Sequence, residues 1–173
     1  NIFASNGILF NHESPRRGEN FITRKVTMSV AKHYYNSNHI LYIGNLNAER
    51  DWGHAKDFVE GMWKILQQKS AGDYLLSTGK SYSIRKLIET AYSFINKKII
   101  WSGKGENEKG IDSATRKILI KVDKHYFRPN EIDKLKGDVL DSKKRLKWTA
   151  KVKFKKLIKE MVLQDIKELK NSK

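Results

Sequence analysis

Cysteine is absent from the 173-residue chain, and proline and histidine are rare, with two and five residues. Without thiols the chain can form neither disulfides nor a thiolate metal site, and the dispersed histidines follow no metal-binding spacing. It also lacks a stretch of about 18 apolar residues that would span a membrane, and the basic segment and apolar core of a signal peptide. These absences favour a cytoplasmic protein that uses neither a metal nor a membrane.

Acidic residues are scarce beside basic ones: 19 Asp and Glu stand against 35 Lys and Arg, which gives a formal net charge of +16. Such a charge suits a nucleic-acid backbone or a smaller phosphorylated ligand. The lysines are scattered over every segment and form no single basic stripe, which is typical of compositional bias. We therefore expect no nucleic-acid partner and interpret the charge as an attraction for phosphorylated substrates.

Apolar periodicity alternates between strand and helix spacing, which predicts an α/β fold. The apolar residues 7–10 predict a central strand, whereas the polar, glycine-bearing residues 103–115 predict a surface loop. The other predicted elements are a helix over residues 20–35, a strand over 39–44, a helix that opens over 50–57 with Asp51 as its cap, a strand over 73–77, a helix capped by Ser83, strands over 98–102 and 118–122, and a helix from Phe154 to Leu169.

A polar segment, Asn-His-Glu-Ser-Pro-Arg-Arg-Gly over residues 11–18, follows the first strand directly. Ser14 and Pro15 interrupt the strand, and Gly18 favours a turn. In an open α/β sheet, ligands bind where the carboxyl ends of the strands meet, and the two arginines suit a phosphate. This segment is the first candidate for a functional site.

Two further candidates each have a structural alternative. Arg50, just ahead of a predicted helix start, can bind an anion together with free backbone N–H groups. Pairing with Asp51 or Asp57 on the surface explains the same arginine equally well. Arg128 and Glu131 are close enough in sequence to face one ligand, but a salt bridge that fixes a turn is the favoured interpretation of these two residues.

Two motifs with familiar functions fail, one because of its spacing and one because of its position at a helix start. Residues 78–81 (Thr-Gly-Lys-Ser) resemble the end of a phosphate-binding P-loop, but Tyr74 occupies the position of the required glycine. Tyr82 and Lys86 have the Tyr-x-x-x-Lys spacing of short-chain dehydrogenases, yet they lie on either side of the predicted cap Ser83 instead of within a helix. We reject both as catalytic motifs.

Three blocks of sequence together resemble the signature of the GDP-mannose 4,6-dehydratase family, whose members are extended short-chain dehydrogenases/reductases. The blocks are residues 6–25 (NGILFNHESPRRGENFITRK), 44–57 (GNLNAERDWGHAKD) and 126–133 (YFRPNEID). They keep the order that they have in the family and are spread over most of the chain.

The resemblance implies the C-terminal part of a Rossmann-like α/β fold, namely the end of the parallel sheet and a small α/β domain that binds a sugar nucleotide. It assigns residues 1–20 to the last part of the NADP-binding sheet and the active-site loop. Residues 21–173 are then the GDP-sugar domain, with one or two short segments that return to the sheet. Members of the family assemble as dimers or tetramers.

The implied reaction converts GDP-mannose to GDP-4-dehydro-6-deoxymannose and water, on the route to GDP-fucose and other deoxyhexoses. NADP takes up a hydride from C4 that returns at C6, after a carboxylate has assisted the loss of water across C5 and C6. By the same resemblance, His12 and Arg17 contact NADP. The residues implied to bind GDP-mannose are Asn11, Ile22, Lys25, Arg50, Arg128 and Glu131.

The catalytic residues of the family have no match in this chain. It contains no glycine-rich turn after a first strand, no Thr-x-Glu, and no catalytic Tyr-x-x-x-Lys before Asn6. The catalytic Thr, Glu, Tyr and Lys are therefore expected N-terminal to residue 1, and the chain alone is expected to be inactive unless another chain supplies that half. The alternative is a non-catalytic nucleotide-binding or regulatory fragment.

Overall fold

The structure, a computed structural model, describes residues 2–126 and 132–171. Its strands are β1 (Asn6–Leu9), β2 (Asn11–Glu13), β3 (Leu41–Ile43), β4 (Glu49–His54), β5 (Asp73–Leu76), β6 (Ser81–Ser83), β7 (Ile99–Ser102), β8 (Lys109–Asp112), β9 (Ile118–Val122) and β10 (Lys134–Leu135). Its α-helices are α1 (Ile22–Tyr34), α2 (Ala55–Leu66), α3 (Ile84–Ser93), α4 (Leu140–Leu146) and α5 (Phe154–Asn171). Across these two ranges no helix is long and apolar enough to cross a membrane, and no group of three or more His, Asp or Glu side chains is placed to hold a metal ion.

The chain forms two compact units, and each is built from separate stretches of sequence. The first unit contains the described residues of Asn1–Ser14, Glu49–Tyr82 and Lys134–Leu157. The second contains those of Pro15–Ala48, Ser83–Asp133 and Ile158–Lys173.

The first unit contains parallel strand pairs and the helices α2 and α4, both of which pack on β5. β1 pairs in parallel with β5, and β4 lies between β10 and β2, with β6 also paired to it. The helix α2 packs on β1 and β5 through its buried side, where Phe58 and Ile65 lie. A Cβ added at Gly61 would lie 2.6 Å from Leu76 Cδ1, so only glycine allows α2 to approach β5 this closely. The core consists of Phe58, Ile65, Tyr74, Leu76, Leu146 and Trp148.

In the second unit, a four-stranded sheet is accompanied by two packed helices. The strand order is β3-β9-β8-β7, with β3 and β9 parallel and the other pairs antiparallel. The helices α1 and α3 pack together through fully buried side chains, among them Val26, Val30, Leu87 and Ile88. The spacing of these apolar residues, three or four positions apart, is what predicts both helices from the sequence.

Most predicted elements are confirmed, and the surface loop predicted over residues 103–115 is wrong. Its second half forms β8, which lies between β7 and β9. The strand alternates exposed and buried positions, and Gly110 is buried where an added Cβ would lie 2.7 Å from Ile120 Cδ1. The buried positions of β8 are Gly110 and Asp112, neither of which is a large apolar residue. The sequence therefore lacks the apolar alternation that predicts a strand.

The predicted start of the second helix is also wrong, because residues 49–54 form β4 and α2 begins at Ala55. The N-cap is His54, whose side chain accepts a hydrogen bond from the backbone N–H of Lys56. Asp51 therefore does not cap the helix. Arg50 lies within the strand, so the helix N-terminus that was expected to complete its anion site is not next to it.

The first strand forms as predicted but is less covered than a central strand. Among the described residues, β1 pairs only with β5, and 53% of the Ile8 surface is exposed. The apolar sequence of β1 predicts burial on both faces, which the described part of the chain does not supply.

Candidate functional site

The polar segment after β1 lies on a short parallel pair in the first unit. β2 runs parallel to β4, with Asn11 opposite Trp52 and His12 opposite Gly53. Parallel strands end at the same edge of a sheet, so the side chains of Asn11 and His12 lie beside the second half of β4. A Cβ at Gly53 would lie 2.4 Å from a ring carbon of Phe58, so a glycine is needed where the strand passes this helix.

The His12 ring has a fixed orientation. Its Nδ1 lies 2.9 Å from the carbonyl oxygen of Phe10, and the ring stacks on Phe58 with 5.0 Å between the ring centres. Because a carbonyl oxygen only accepts, Nδ1 carries a proton in this contact. In the neutral ring, Nε2 is then an acceptor, and in the charged ring it is a second donor.

Arg50 is half-buried in β4 and donates from Nη1 to the carbonyl oxygen of Glu49 at 2.8 Å. The two carboxylates considered as its surface partners are both buried. Asp57 accepts from the backbone N–H groups of Lys151 and Val152, at 2.8 Å each. Asp51 likewise accepts from the backbone N–H groups of Thr78 and Gly79.

The Asp51 carboxylate fixes the loop that follows β5. It accepts from the Thr78 hydroxyl at 2.6 Å, from the Thr78 N–H at 3.0 Å and from the Gly79 N–H at 2.9 Å. The Gly137 N–H lies 3.4 Å from the same carboxylate. Since these N–H groups are bonded to Asp51, they are not arranged as a phosphate cradle, which agrees with rejecting residues 78–81 as a P-loop. The role of Asp51 was missed because its partners are distant in sequence.

A cavity of about 550 Å³ opens on the helix α1 in the second unit. It is lined by Glu19, Asn20, Lys25, Met28, Ser29, Lys32, His39, Ile40, Tyr42 and Tyr126. Lys25 is one of the residues that the resemblance implies for GDP-mannose, and its Nζ lies 3.5 Å from the centre of the Tyr126 ring. A cation over an aromatic face is held by electrostatic attraction. Sequence reasoning had not singled out the other lining residues.

Ile22 begins the helix α1, one turn before Lys25. Phe21 stands at the N-cap position and provides no side-chain hydrogen bond, and the first turn of this helix has no acidic residue. The first backbone N–H groups of a helix carry partial positive charge. This end of α1 thus combines helix N–H groups with the Lys25 ammonium group.

One histidine, His39, lines the cavity, and a second, His33, contacts the backbone of His39. His33 Nε2 contacts the carbonyl oxygen of His39 at 2.5 Å, so it carries the proton, and Nδ1 accepts from the Tyr92 hydroxyl at 2.7 Å. His39 Nε2 lies 3.0 Å from the Ser29 hydroxyl. Burial lowers the pKa of both histidines, and the nearby Lys32 lowers them further. At neutral pH the cavity therefore presents a neutral imidazole.

The remaining predicted residues divide into one that is described and two that are not. The Arg17 guanidinium lies over the Phe21 ring, 3.5 Å from its centre, in the second unit. Arg128 and Glu131 lie outside the described residues. Of the predicted ligand-binding residues, the first unit thus holds Asn11, His12 and Arg50, and the second holds Arg17, Ile22 and Lys25.

The comparison with known families decides the relationship. The sequence model of the family described as GDP-mannose 4,6 dehydratase matches residues 1–161. The chain belongs to this family.

Curated relatives carry the same family name. The GDP-mannose 4,6 dehydratase of Homo sapiens is 48% identical over 172 residues, which are 99% of this chain and 46% of that protein. The Drosophila melanogaster protein is 46% identical over 172 residues, 99% of this chain and 44% of that protein. This chain of the GDP-mannose 4,6-dehydratase family therefore spans less than half the length of these relatives.

Solved structures confirm the fold. The structure of RMD from Pseudomonas aeruginosa complexed with NADPH aligns with a TM-score of 0.75 at 16% identity, covering 94% of this chain and 48% of that one. The dTDP-glucose 4,6-dehydratase of Bacillus anthracis in complex with NAD aligns with a TM-score of 0.71 at 13% identity, covering 95% and 45%. The chain of the GDP-mannose 4,6-dehydratase family thus has the expected Rossmann-like α/β fold and matches about half of each of these structures.

Proposed function

We propose that this chain is the GDP-mannose-binding part of a GDP-mannose 4,6-dehydratase. The observation that carries the proposal is the cavity on α1, because Lys25, a residue implied by the family resemblance, lines it. Its volume of about 550 Å³ lies within the range of small-molecule sites, roughly 300 to 1,000 Å³. The family resemblance indicates the substrate class, and the side chains that line the cavity are of the kinds that bind it.

The charge and the aromatic groups of the cavity suit a nucleotide. Two lysines, Lys25 and Lys32, face one carboxylate, Glu19, and the neutral His39 adds no charge. The excess of one positive charge attracts a diphosphate. Tyr42 and Tyr126 offer ring faces of the kind on which nucleobases stack. Ser29 and His39 provide hydrogen bonds to polar edges of a base or sugar.

The family resemblance adds Asn11 and Arg50 of the first unit to the residues proposed to bind GDP-mannose. The Asn11 amide donates to a diphosphate oxygen, and the Arg50 guanidinium balances the phosphate charge. Ile22 offers backbone groups to the guanine at the uncapped start of α1. The roles proposed for Arg128 and Glu131, a phosphate contact and a hydrogen bond to ribose or guanine, rest on the family resemblance.

We also propose that the complete protein uses NADP, with His12 and Arg17 as its contacts in this chain. The residues fit this cofactor, because Arg17 presents a guanidinium suited to a phosphate and His12 presents an oriented Nε2. When bound, the cofactor supplies the reversible uptake of a hydride. His12 and Arg17 bind and orient it, while the catalytic Thr, Glu, Tyr and Lys of the family have no match in the 173 residues.

The proposed activity of the complete protein is a hydro-lyase reaction that yields GDP-4-dehydro-6-deoxymannose and water. It belongs to the cytoplasmic synthesis of GDP-fucose and related deoxyhexoses, in a dimer or tetramer. A ketone at C4 acidifies the proton at C5, so the protein must hold the sugar where a base can remove that proton. The proposed reaction therefore requires first that this chain binds GDP-mannose.

The test is calorimetric titration of the chain with GDP-mannose. Lys25→Ala should weaken binding about 10-fold to 150-fold, as expected for the loss of a charged hydrogen-bond partner of about 1.5 to 3 kcal/mol. Lys117→Ala is the matched control, because Lys117 is exposed in the same unit away from the cavity lining. Equal affinities for the Lys25 variant and the control would overturn the assignment.

A non-catalytic nucleotide-binding fragment is the second candidate, because the chain covers 44% to 48% of three of its relatives. The two candidates differ in turnover. Mixing the chain with the separately produced N-terminal half of the human relative should yield product from GDP-mannose and NADP if the chain is part of the enzyme. Binding without turnover in that mixture would favour the second candidate.

A further inference from the structure

Arg24 is a buried arginine of α1 that contacts two carboxylates of the last helix. Only 8% of its surface is exposed. Its Nη2 donates to Glu168 Oε2 at 2.7 Å. Its Nε lies 2.7 Å from Asp165 Oδ1, close enough for an ion pair although the N–H is not aimed well enough for a hydrogen bond. One edge of the guanidinium is thus anchored to α5.

The same guanidinium also holds the chain between β2 and α1. Its Nη1 donates to the carbonyl oxygen of Pro15 and, at 3.3 Å, to that of Arg17. The planar group therefore joins α5, through Asp165 and Glu168, to the backbone of residues 15–17. A lysine cannot reproduce these contacts, because an ammonium group is a point charge without the fixed fork of donors.

We expect the contacts of Arg24 with Asp165 and Glu168 to add little to the free energy of unfolding. Their main effect is on the position of residues 15–17. Burying a guanidinium and a carboxylate removes both from water, and the attraction between them often does no more than offset that loss. What the arrangement does fix is geometry, since both carbonyl groups belong to the segment that presents Arg16 and Arg17. The Arg17 guanidinium is in turn placed over the Phe21 ring.

We propose that Arg24 is a positioning residue, which holds residues 15–17 against α5 so that Arg17 is oriented toward an anionic cofactor phosphate. The inference rests on the proposed role of Arg17 in NADP binding. It extends the functional part of the chain to Asp165 and Glu168, which lie beyond residues 1–161 matched by the family. On this account the last helix acts on the cofactor through Arg24 and does not touch it.

Hydrogen exchange of the full chain tests the positioning step. Arg24→Lys should speed exchange in peptides that cover residues 15–21 by about tenfold, because a misplaced segment loses its fixed geometry. Arg85→Lys is the matched control, since Arg85 forms a comparable pair with Glu108 at 2.6 Å in the same unit. Exchange of these peptides that is unchanged in Arg24→Lys, or raised equally in both variants, would overturn the proposal.

NADP titration separates positioning from direct contact. Arg24→Lys should weaken NADP binding about tenfold in the native background, and should have no further effect once Arg17→Ala is present, because Arg24 acts through Arg17. Independent losses in the double variant would overturn the proposal, as would faster exchange with unchanged NADP affinity. If Arg24→Lys does not fold, Glu168→Gln replaces it, with the same expectations at smaller amplitude.

Together, the exchange and titration experiments distinguish failure of the proposed NADP binding from failure of the proposed role of Arg24. A native chain that binds no NADP, together with unchanged exchange in Arg24→Lys, overturns both. If the native chain binds no NADP but exchange is faster in Arg24→Lys, the cofactor roles of Arg17 and Arg24 are both overturned. Only the contact of Arg24 with residues 15–17 then remains.

Discussion

At the scale of single residues, Asp165 is a carboxyl group on which burial and its neighbours act in opposite directions. Burial raises its pKa from 3.8 to about 6, although the Thr27 hydroxyl and the Arg24 charge lower it and the Glu168 charge raises it. Between these two values the folded chain holds a proton that the unfolded chain has released. The stability from this proton is fully present below pH 3.8 and is lost as the pH rises through about 6.

Asp165→Asn removes this titration with little change of shape. The free energy of unfolding of the native chain minus that of the variant should therefore fall by on the order of 2 to 3 kcal/mol from about pH 4 to about pH 7. Urea unfolding at a series of pH values measures the difference. Two parallel stability curves would contradict the prediction.

Asp112→Asn is the control for sign. Burial raises the pKa of Asp112, but hydrogen bonds from Lys97, Thr115 and the Ala114 N–H lower it more, so the net shift is downward. The stability from its ionised form is present above the unfolded pKa and is lost as the pH falls. The difference for this variant should therefore change with pH in the opposite direction to that for Asp165→Asn.

The residue scale also shows which parts of the site could be predicted. Lys25 was identified because its neighbours in sequence match a family block, and the structure places it in a cavity. The role of Asp51 was mistaken for a helix cap, since its true partners, Thr78, Gly79 and Gly137, are brought to it by the fold. Local spacing predicts contacts within a turn or helix and carries no information on partners this far apart.

At the scale of elements, the cap of α3 is a local feature that the sequence predicts and the structure confirms. The Ser83 hydroxyl accepts from the backbone N–H of Lys86 at 3.1 Å. Ser83→Ala should lower the free energy of unfolding by about 1 kcal/mol, because one orphan N–H group of the helix loses its partner. Ser93→Ala, at the other end of the same helix, should cost less than about 0.5 kcal/mol. Equal costs in urea unfolding would argue against the cap.

Elements were predicted where one apolar face is continuous and missed where it is not. α1 and α5 have long apolar stripes, and both were found. β8 was missed because Gly110 and Asp112 supply its buried positions, and β4 was taken for the start of a helix because the apolar stripe of α2 follows it at once. The Asp112 carboxylate is compensated by Lys97 and Thr115, which only the folded chain brings together.

At the scale of the whole molecule, each unit is assembled from three separate stretches of the chain. Hydrophobic patterns report the character of a segment and not its partners, so they do not predict which separate stretches join in one unit. The parallel pairs β1 with β5 and β2 with β4 join residues more than 40 positions apart. Parallel pairing needs long crossovers, so such discontinuity follows from the topology itself.

One apolar surface of the first unit lacks cover within the described residues. On α2, Val59, Trp63 and Leu66 are each 60% to 63% exposed. The three helix residues recur at i, i+4 and i+7, which places them on one side of α2. Exposed apolar groups that lie together on one side of a helix favour association with another chain.

We expect the isolated chain to self-associate through this surface, and the N-terminal half of a family relative to cover it, since this chain spans 46% of the human protein. In light scattering, the double variant Val59→Ser, Trp63→Ser should give smaller particles than the native chain, because two exposed apolar groups are removed. Leu163→Ser is the control, since Leu163 is 50% exposed on α5 in the second unit.

Adding the N-terminal half should disperse the native chain and should act less on the double variant. A native chain that is a monodisperse, cooperatively melting monomer would contradict the prediction, because it would show that this surface needs no cover in water.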